Sequence, residues 1–398
     1  AGPEWLSPLR EGALSSLRTL GLPTKKTEAW RFTRVEHLLG DLPAPEATDT
    51  AAGWASISSH FRVLFRGSQL VVGPNAPEGL GVHRLTDLPD ALRNTLGSIA
   101  TNEHFVALNS ATFEDALVLH VHGAVTTPVE IEVEGGPSLL APRVLVVLDR
   151  EASLSLIERS SGDSRLTAAV TEVSIGAGAQ LDHVRIHEDR GAVLSALAIV
   201  QDRDSRYRGH TFTFGGAPQR LDHSLRFAGP GAEAHLDGLY LVREKEHVDH
   251  HVRVDHEAGR CTSHQRYRGV LDDQGTAVFD GQAIVHRSAP GSEAHQQNRN
   301  LLLSDRANAY TKPHLEIDHD EVVASHGATV GALDEQALFY LRSRGVPSAT
   351  AEGILTFAFL RELVDAVPIA ALREELTESV LLRLPEPDTL RGFELEET

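Results

Sequence analysis

The chain holds 21 histidines but one cysteine, and that imbalance sets the chemistry open to it. A neutral imidazole ligates metals, and its pKa near 6.5 also suits proton handling. His326 lies in Ser325-His-Gly327, inside the small-residue run Ala324 to Gly331. It is read either as an iron ligand or proton carrier, or as a turn histidine bonded to backbone where a β-coil ends. The densest group is Glu246 to His256. On a strand, alternation puts His247, Asp249 and His251 on one face and His250, Val252 and Val254 on the other. Mixed nitrogen and oxygen donors suit iron or zinc. However, same-face neighbours in one strand lie about 7 Å apart, so they converge only with help from a second strand. Solvated ladder residues are the competing reading. His314, His319 and Glu321, just before His326, carry the same two readings: an entry route for metal, or solvated side chains.

Cys261, in Gly259-Arg-Cys-Thr-Ser-His264, cannot form an internal disulfide and fits a reducing compartment. A lone thiol reads as a small buried hydrophobe, and one thiolate is too few to hold an iron–sulfur cluster unaided. Gly21-Leu-Pro-Thr-Lys-Lys-Thr27 lacks the glycine before lysine that a phosphate-binding loop requires. No hydrolase elbow, zinc-protease helix or dinucleotide fingerprint stands in a convincing context. A net charge of −19 repels nucleic acid and anionic membrane. No apolar run is long enough to span a bilayer. Residues 1–10 show neither a basic nor an apolar targeting region, so the expected compartment is the cytoplasm.

The elements that must position these residues change character along the chain. Trp5, Leu6, Leu9, Leu14, Leu17 and Leu20 recur near helical spacing, with Gly21 and Pro23 as a stop. A second apolar-periodic stretch ends near Leu39, and residues 41–55 read as a Pro/Ala/Thr/Asp-rich linker. From Arg62 to Asn109 one strand is expected, Gln69–Val72. From Leu117 onward short β-type runs appear, as in Leu117–Val121, Val129–Val133 and Val144–Leu148. Turn clusters from Gly176 to Ser304 then recur roughly every 11 to 16 residues with no helix between, which leaves sandwich, barrel and solenoid open. Gly178-Ala-Gln-Leu-Asp-His183, echoed in Ala217-Pro-Gln-Arg-Leu-Asp-His223 and loosely in Gly231 to Asp237, is the recurrence expected of stacked rungs. Past Gly331 helices return. Asp334 is a candidate N-cap, and Ile354, Leu355, Ala358, Phe359, Leu363 and Val367 are the expected apolar stripe of a longer helix. Another short helix follows Pro368.

Six collinear elements carry a family resemblance. They are Gly21-Leu-Pro-Thr with Glu28-Ala-Trp-Arg-Phe-Thr33, Tyr267-Arg-Gly-Val-Leu-Asp272, Asn298-Arg-Asn-Leu-Leu-Leu-Ser304, Tyr310-Thr-Lys-Pro-His-Leu-Glu-Ile317, Ala324-Ser-His-Gly-Ala-Thr-Val-Gly331, and the run from Leu333 through Tyr340-Leu-Arg-Ser-Arg-Gly345. In this order they resemble the SufD family, a subunit of the SufBCD iron–sulfur cluster assembly scaffold. The sister SufB family usually has cysteine where Leu341 stands here.

The resemblance implies a mainly β fold: a right-handed parallel β-helix (solenoid) over 113–330, flanked by a mostly helical N-terminal domain (1–112) and a C-terminal helical domain (331–398). It implies a non-catalytic scaffold that pairs with a SufB-like subunit through the β-helix and docks a SufC-like ATPase through the C-terminal helices. A cluster would be held transiently and shared with the partner, and His326 would be the ligand or proton-handling group at that seam. A homodimer of the isolated chain stays open. The sequence departs from the family at Ala324, two residues before His326, where SufD proteins often have cysteine. Two other classes remain as alternatives: a β-helix carbohydrate-active enzyme, and a histidine-rich iron- or zinc-binding protein.

Overall fold

The computed structural model describes residues 3–24, 26–35, 60–67, 69–101, 103–135, 139–162 and 164–395. The expected linker at 41–55 and the stretch reaching Leu39 lie outside them. Two long sheets dominate, with successive strands alternating between them from Ser153–Ser161 to Val322–Gly331. Within each sheet these strands run parallel to their neighbours. Ser153, Gln180, Arg206, Glu233, Thr262, Glu293 and Val323 therefore stack in one column, one coil apart. This is a parallel β-solenoid. Each coil contributes one strand to each sheet, so the turn signals recur twice per coil. The echoed segments obey the same rule. Gly178–His183 and Gly231–Asp237 lie two coils apart in the first sheet, while Ala217–His223 leads into a strand of the second.

Inside the coil, Val, Leu, Ile, Tyr and Phe side chains from both sheets form one core running from Phe61 to Ala307. Parallel sheets need cover on both faces. The outer face of the first sheet receives the C-terminal helices α4 (Ser348–Asp365), α5 (Ala370–Leu381) and α6 (Pro387–Leu395). Ile157, Val184, Phe212, Phe214, Leu239 and Leu241 meet Leu360, Leu363, Leu376 and Val380 there. The buried stripe of α4 is Gly353, Thr356, Phe357, Leu360, Leu363 and Val364. Of the six residues expected from spacing, only Leu363 and Val367 are fully buried, and Ala358 is exposed. The apolar positions of α4 wrap around much of the helix, so spacing did not fix which arc meets the sheet. The Glu375 carboxylate locks α5 down, accepting two bonds from Arg159 at 2.6 Å.

The N-terminal part carries α1 (Ser7–Leu20) and α2 (His104–Thr112), which pack together. It holds more strand than the one expected. Phe61–Arg66 pairs with Gln69–Val72 and then, in parallel, with Val129–Glu134 of the first sheet, while Leu80–His83 joins the second sheet. The β-structure therefore begins well before residue 113. Phe61, Val63 and Phe65 alternate and are buried, but runs of four to six residues are marginal as strands until a neighbouring strand supplies the partner.

Glu28-Ala-Trp-Arg-Phe-Thr33 crosses the outer face of the second sheet. Arg220 lies over the Trp30 ring at 3.8 Å, and Phe32 stacks on Tyr310 at 4.4 Å. Thr33 donates to Asp249, and Lys312 bonds Glu28 at 2.9 Å.

Candidate functional site

The last strand of each sheet has a partner on one side only. Asn308–Ile317 pairs with Thr276–Val285, and Val322–Gly331 pairs with Ser292–Leu302. Both are ten residues long, and among the described residues nothing caps their free edges. Tyr310, Ile317, Val323 and Val330 are all more than two-fifths exposed there. A long exposed edge with apolar side chains is a template for pairing with another chain, which proteins blunt unless they use it. Pro313, which cannot donate to a ladder, is tolerated because its strand is an edge.

Register decides what His326 can reach. It lies opposite Gln296, which lies opposite Gln265, and both glutamines are buried on the inner face of the coil. His326 thus occupies the inward-facing column, and it is exposed only because the coil stops there. The amide of Gln296 is buried with neither its nitrogen nor its oxygen bonded, and the Gln265 oxygen and Thr311 hydroxyl are in the same state. Orphaned polar atoms behind an open end mark a place where water or a partner completes the bonding. Ala324 shares the inner face with His326, opposite Ala294, in a small apolar cluster with Leu315 and Val322. A cysteine here would face the same seam.

The other histidines near this end do not converge on His326. His314 is on the outer face of the second sheet, opposite Gln282. His319 lies between the strands, its Nδ1 accepting from the Glu321 amide at 3.0 Å.

The dense histidine strand is a clasp. Asp249 is buried 3.0 Å from His251 and 2.9 Å from Arg220, and it accepts from Thr33. Burial pushes its carboxyl up, but His251 and Arg220 outweigh that and hold it well below the usual range. Burial and the nearby Arg220 lower His251, but the Asp249 carboxylate outweighs them and raises it. His250 points inward, and burial lowers its pKa to about 3. The strand therefore holds the N-terminal segment against the coil.

His183 and His223, the histidines of the two Leu-Asp-His segments, lie inside. His183 Nε2 donates to Glu158 at 2.8 Å, while its Nδ1 faces the Tyr207 hydroxyl at 3.2 Å. Arg185 joins His223, at 3.1 Å, to Ser195, at 2.8 Å. Burial raises the Glu158 carboxyl, yet Arg185, His183 and Thr171 together bring it down to about 2. Only registered stacking brings these residues from separate coils together, and the recurrent Leu-Asp-His was their one sequence signal. A second array, His235, His264 and His295, stacks on the outer face of the first sheet with ring centroids 4.8 and 5.1 Å apart.

Cys261 is fully buried, its Sγ 3.4 Å from the Gly229 carbonyl, and burial pushes the thiol up. Native protein is therefore expected to react slowly with thiol reagents, and unfolded protein quickly. Equal rates in the two states would contradict this packing.

Comparison with known proteins points to one family. Residues 131–359 match the family described as SUF system FeS cluster assembly, SufBD core domain. An iron–sulfur cluster assembly SufBD family protein of Synechocystis sp. (strain ATCC 27184 / PCC 6803 / Kazusa) is 30% identical over 94% of this chain and 90% of its own length. The iron–sulfur cluster assembly protein SufD of Escherichia coli (strain K12) is 29% identical over 95% of this chain and 93% of its own. The SufD of Bacillus subtilis (strain 168) is 24% identical over 95% and 94%. A parallel solenoid ending in two open strands, with helices at both ends and this likeness along nearly its whole length, belongs to the SufBD family of iron–sulfur cluster assembly proteins.

Proposed function

We propose that this protein is a non-catalytic scaffold subunit that completes its site only with a partner. The open end of the coil carries this reading: two ten-residue edge strands with exposed apolar side chains, and His326 at the end of the inward column. A SufB-like subunit adds its own strands to these edges, and backbone hydrogen bonds supply the affinity. Iron and sulfide are cargo at that seam. His326 offers an imidazole as an iron ligand or proton carrier, and the partner supplies the thiolates. With one buried cysteine, this chain has none to give.

A SufC-like ATPase docks on α3 (Glu335–Ser343), which has no buried residue and leaves Phe339 and Tyr340 exposed at 73% and 56%. Asp334 caps α3 by accepting from the Gln336 and Ala337 amides, so the helix is preformed for binding. The cluster is held transiently in the cytoplasm and passed on.

In a complex reconstituted from all three subunits, His326→Ala is expected to leave assembly intact while lowering cluster yield about tenfold, read by absorbance and iron content. Wild-type yield and rate from the variant would refute the role of His326. Failure of the chain to copurify with SufB-like and SufC-like proteins under gentle conditions would refute the scaffold itself.

A further inference from the structure

At the opposite end of the coil, strand Leu80–His83 lies antiparallel to Leu117–Val121, with Gly81 opposite His120. The next coil runs parallel, with Leu148 opposite Val121, so the residues that follow, His122 and Asp149, come side by side. His120 Nε2 is 2.9 Å from Asp149 Oδ1, and His122 Nδ1 is 3.0 Å from Oδ2. The two imidazole centroids are 3.9 Å apart. Taking one donor atom from each residue, all three lie within 4.8 Å of one another. Two donors on one ion, with bonds of about 2.1 Å, span about 3.4–4.2 Å, so closing on a cation needs small rotations of exposed side chains.

Gly81 supplies a second observation. Its φ lies outside the left-handed region, so its backbone does not demand glycine. A Cβ at this position would sit 3.0 Å from His83 Nε2 and 3.5 Å from His122 Nε2. The missing side chain leaves room into which a third imidazole already turns.

We propose that His120, His122 and Asp149, with His83 or water in the fourth position, form a site for a divalent first-row transition ion. Imidazole and carboxylate donors without thiolate favour Zn²⁺ or Fe²⁺ over Cu⁺ and over Mg²⁺. On binding, each neutral ring changes tautomer by proton exchange with water, so that the nitrogen facing Asp149 presents its lone pair to the cation and the ring's one proton sits on the other nitrogen. With His122 and Asp149 half exposed, the ion exchanges with solvent. The site is seven strand spacings from Asn308–Ile317 along the second sheet, about 34 Å, so it stands or falls independently of His326.

The test titrates the full chain with Zn²⁺, with Fe²⁺ anaerobically and with Mg²⁺, by calorimetry and equilibrium dialysis. Wild type is compared with His122→Ala, Asp149→Asn and His264→Ala, the last disrupting the stacked outer histidines. Unchanged circular dichroism and melting establish that each variant folds. One Zn²⁺ or Fe²⁺ per chain, weakened tenfold or more by His122→Ala and by Asp149→Asn but not by His264→Ala, is expected. Equal affinity in wild type and the two site variants, loss only in His264→Ala, or Mg²⁺ binding as tight as Zn²⁺ would overturn the assignment.

Discussion

Val330→Arg is expected to weaken the proposed pairing with a SufB-like subunit at least about thirtyfold while leaving this chain folded. Val330 is on the inner face of the last strand, four residues beyond His326 and opposite Asn300, and is 46% exposed. In the isolated protein an arginine here extends into water, so stability should change by no more than about 0.5 kcal/mol, as for ordinary surface substitutions. In a seam formed by strand addition, the same guanidinium is buried without a carboxylate. Uncompensated interfacial charge costs about 2–5 kcal/mol, a thirtyfold to several-thousandfold loss of affinity. Size-exclusion and calorimetric titration against the partner would read this directly. Wild-type affinity from a folded Val330→Arg protein would move the interface away from the open end. Ile317→Arg, on the other terminal strand and 44% exposed, should behave alike.

The second large effect concerns stability. Glu172→Ala is expected to destabilise the protein by about 3–5 kcal/mol, a large share of the roughly 5–15 kcal/mol typical of a folded domain. Glu172 is fully buried in the second sheet and meets Arg143, also fully buried, at 2.6 Å. Its two oxygens also accept the backbone amides of Gly97 at 2.8 Å and of Ile99 and Ala100 at 2.9 Å. One carboxylate thus neutralises an interior guanidinium and holds the 97–100 loop against the coil. Alanine strands the charge and leaves three amide donors without an acceptor. Glu172→Gln keeps acceptor oxygen and should recover part of the loss. Urea unfolding measures both, and limited proteolysis should show first cleavage near residue 97 in the alanine variant. A loss below about 1 kcal/mol would show that the loop is held by other contacts.

Neither effect is visible in local sequence. Glu172 reads as one charge in an alternating strand, and its partners lie 29 and more than 70 residues away. Arg143 looks like a strand terminus, yet it also donates to Asn109 and Ser110 at 3.1 Å. The Glu246–His256 stretch invited a metal reading because histidines were dense. Asp249 instead spends its oxygens on Arg220, His251 and Thr33, two of them from distant segments. The pair His120 and His122 drew no notice in sequence, since Asp149 joins them only when the next coil stacks.

Local residue patterns settle the broad class of this chain. Turn clusters at half-coil intervals, β-type runs between them and helical spacing at both ends are local properties, set by backbone sterics and by the period of apolar residues. They specify many short strands between terminal helices; the Leu-Asp-His echo and the family resemblance are what point to a solenoid instead of a sandwich or barrel. The ordered motifs from Gly21 to Gly345 supplied the family resemblance, and His326 with it. Tertiary structure decided the rest: which strand face points inward, which arc of α4 meets the first sheet, and where the coil ends. A strand covered on both faces loses its alternation, so only registered stacking tells inside from outside. His326 has its significance for the same reason. Its column is internal in every preceding coil, and it reaches solvent because no further coil follows among the described residues.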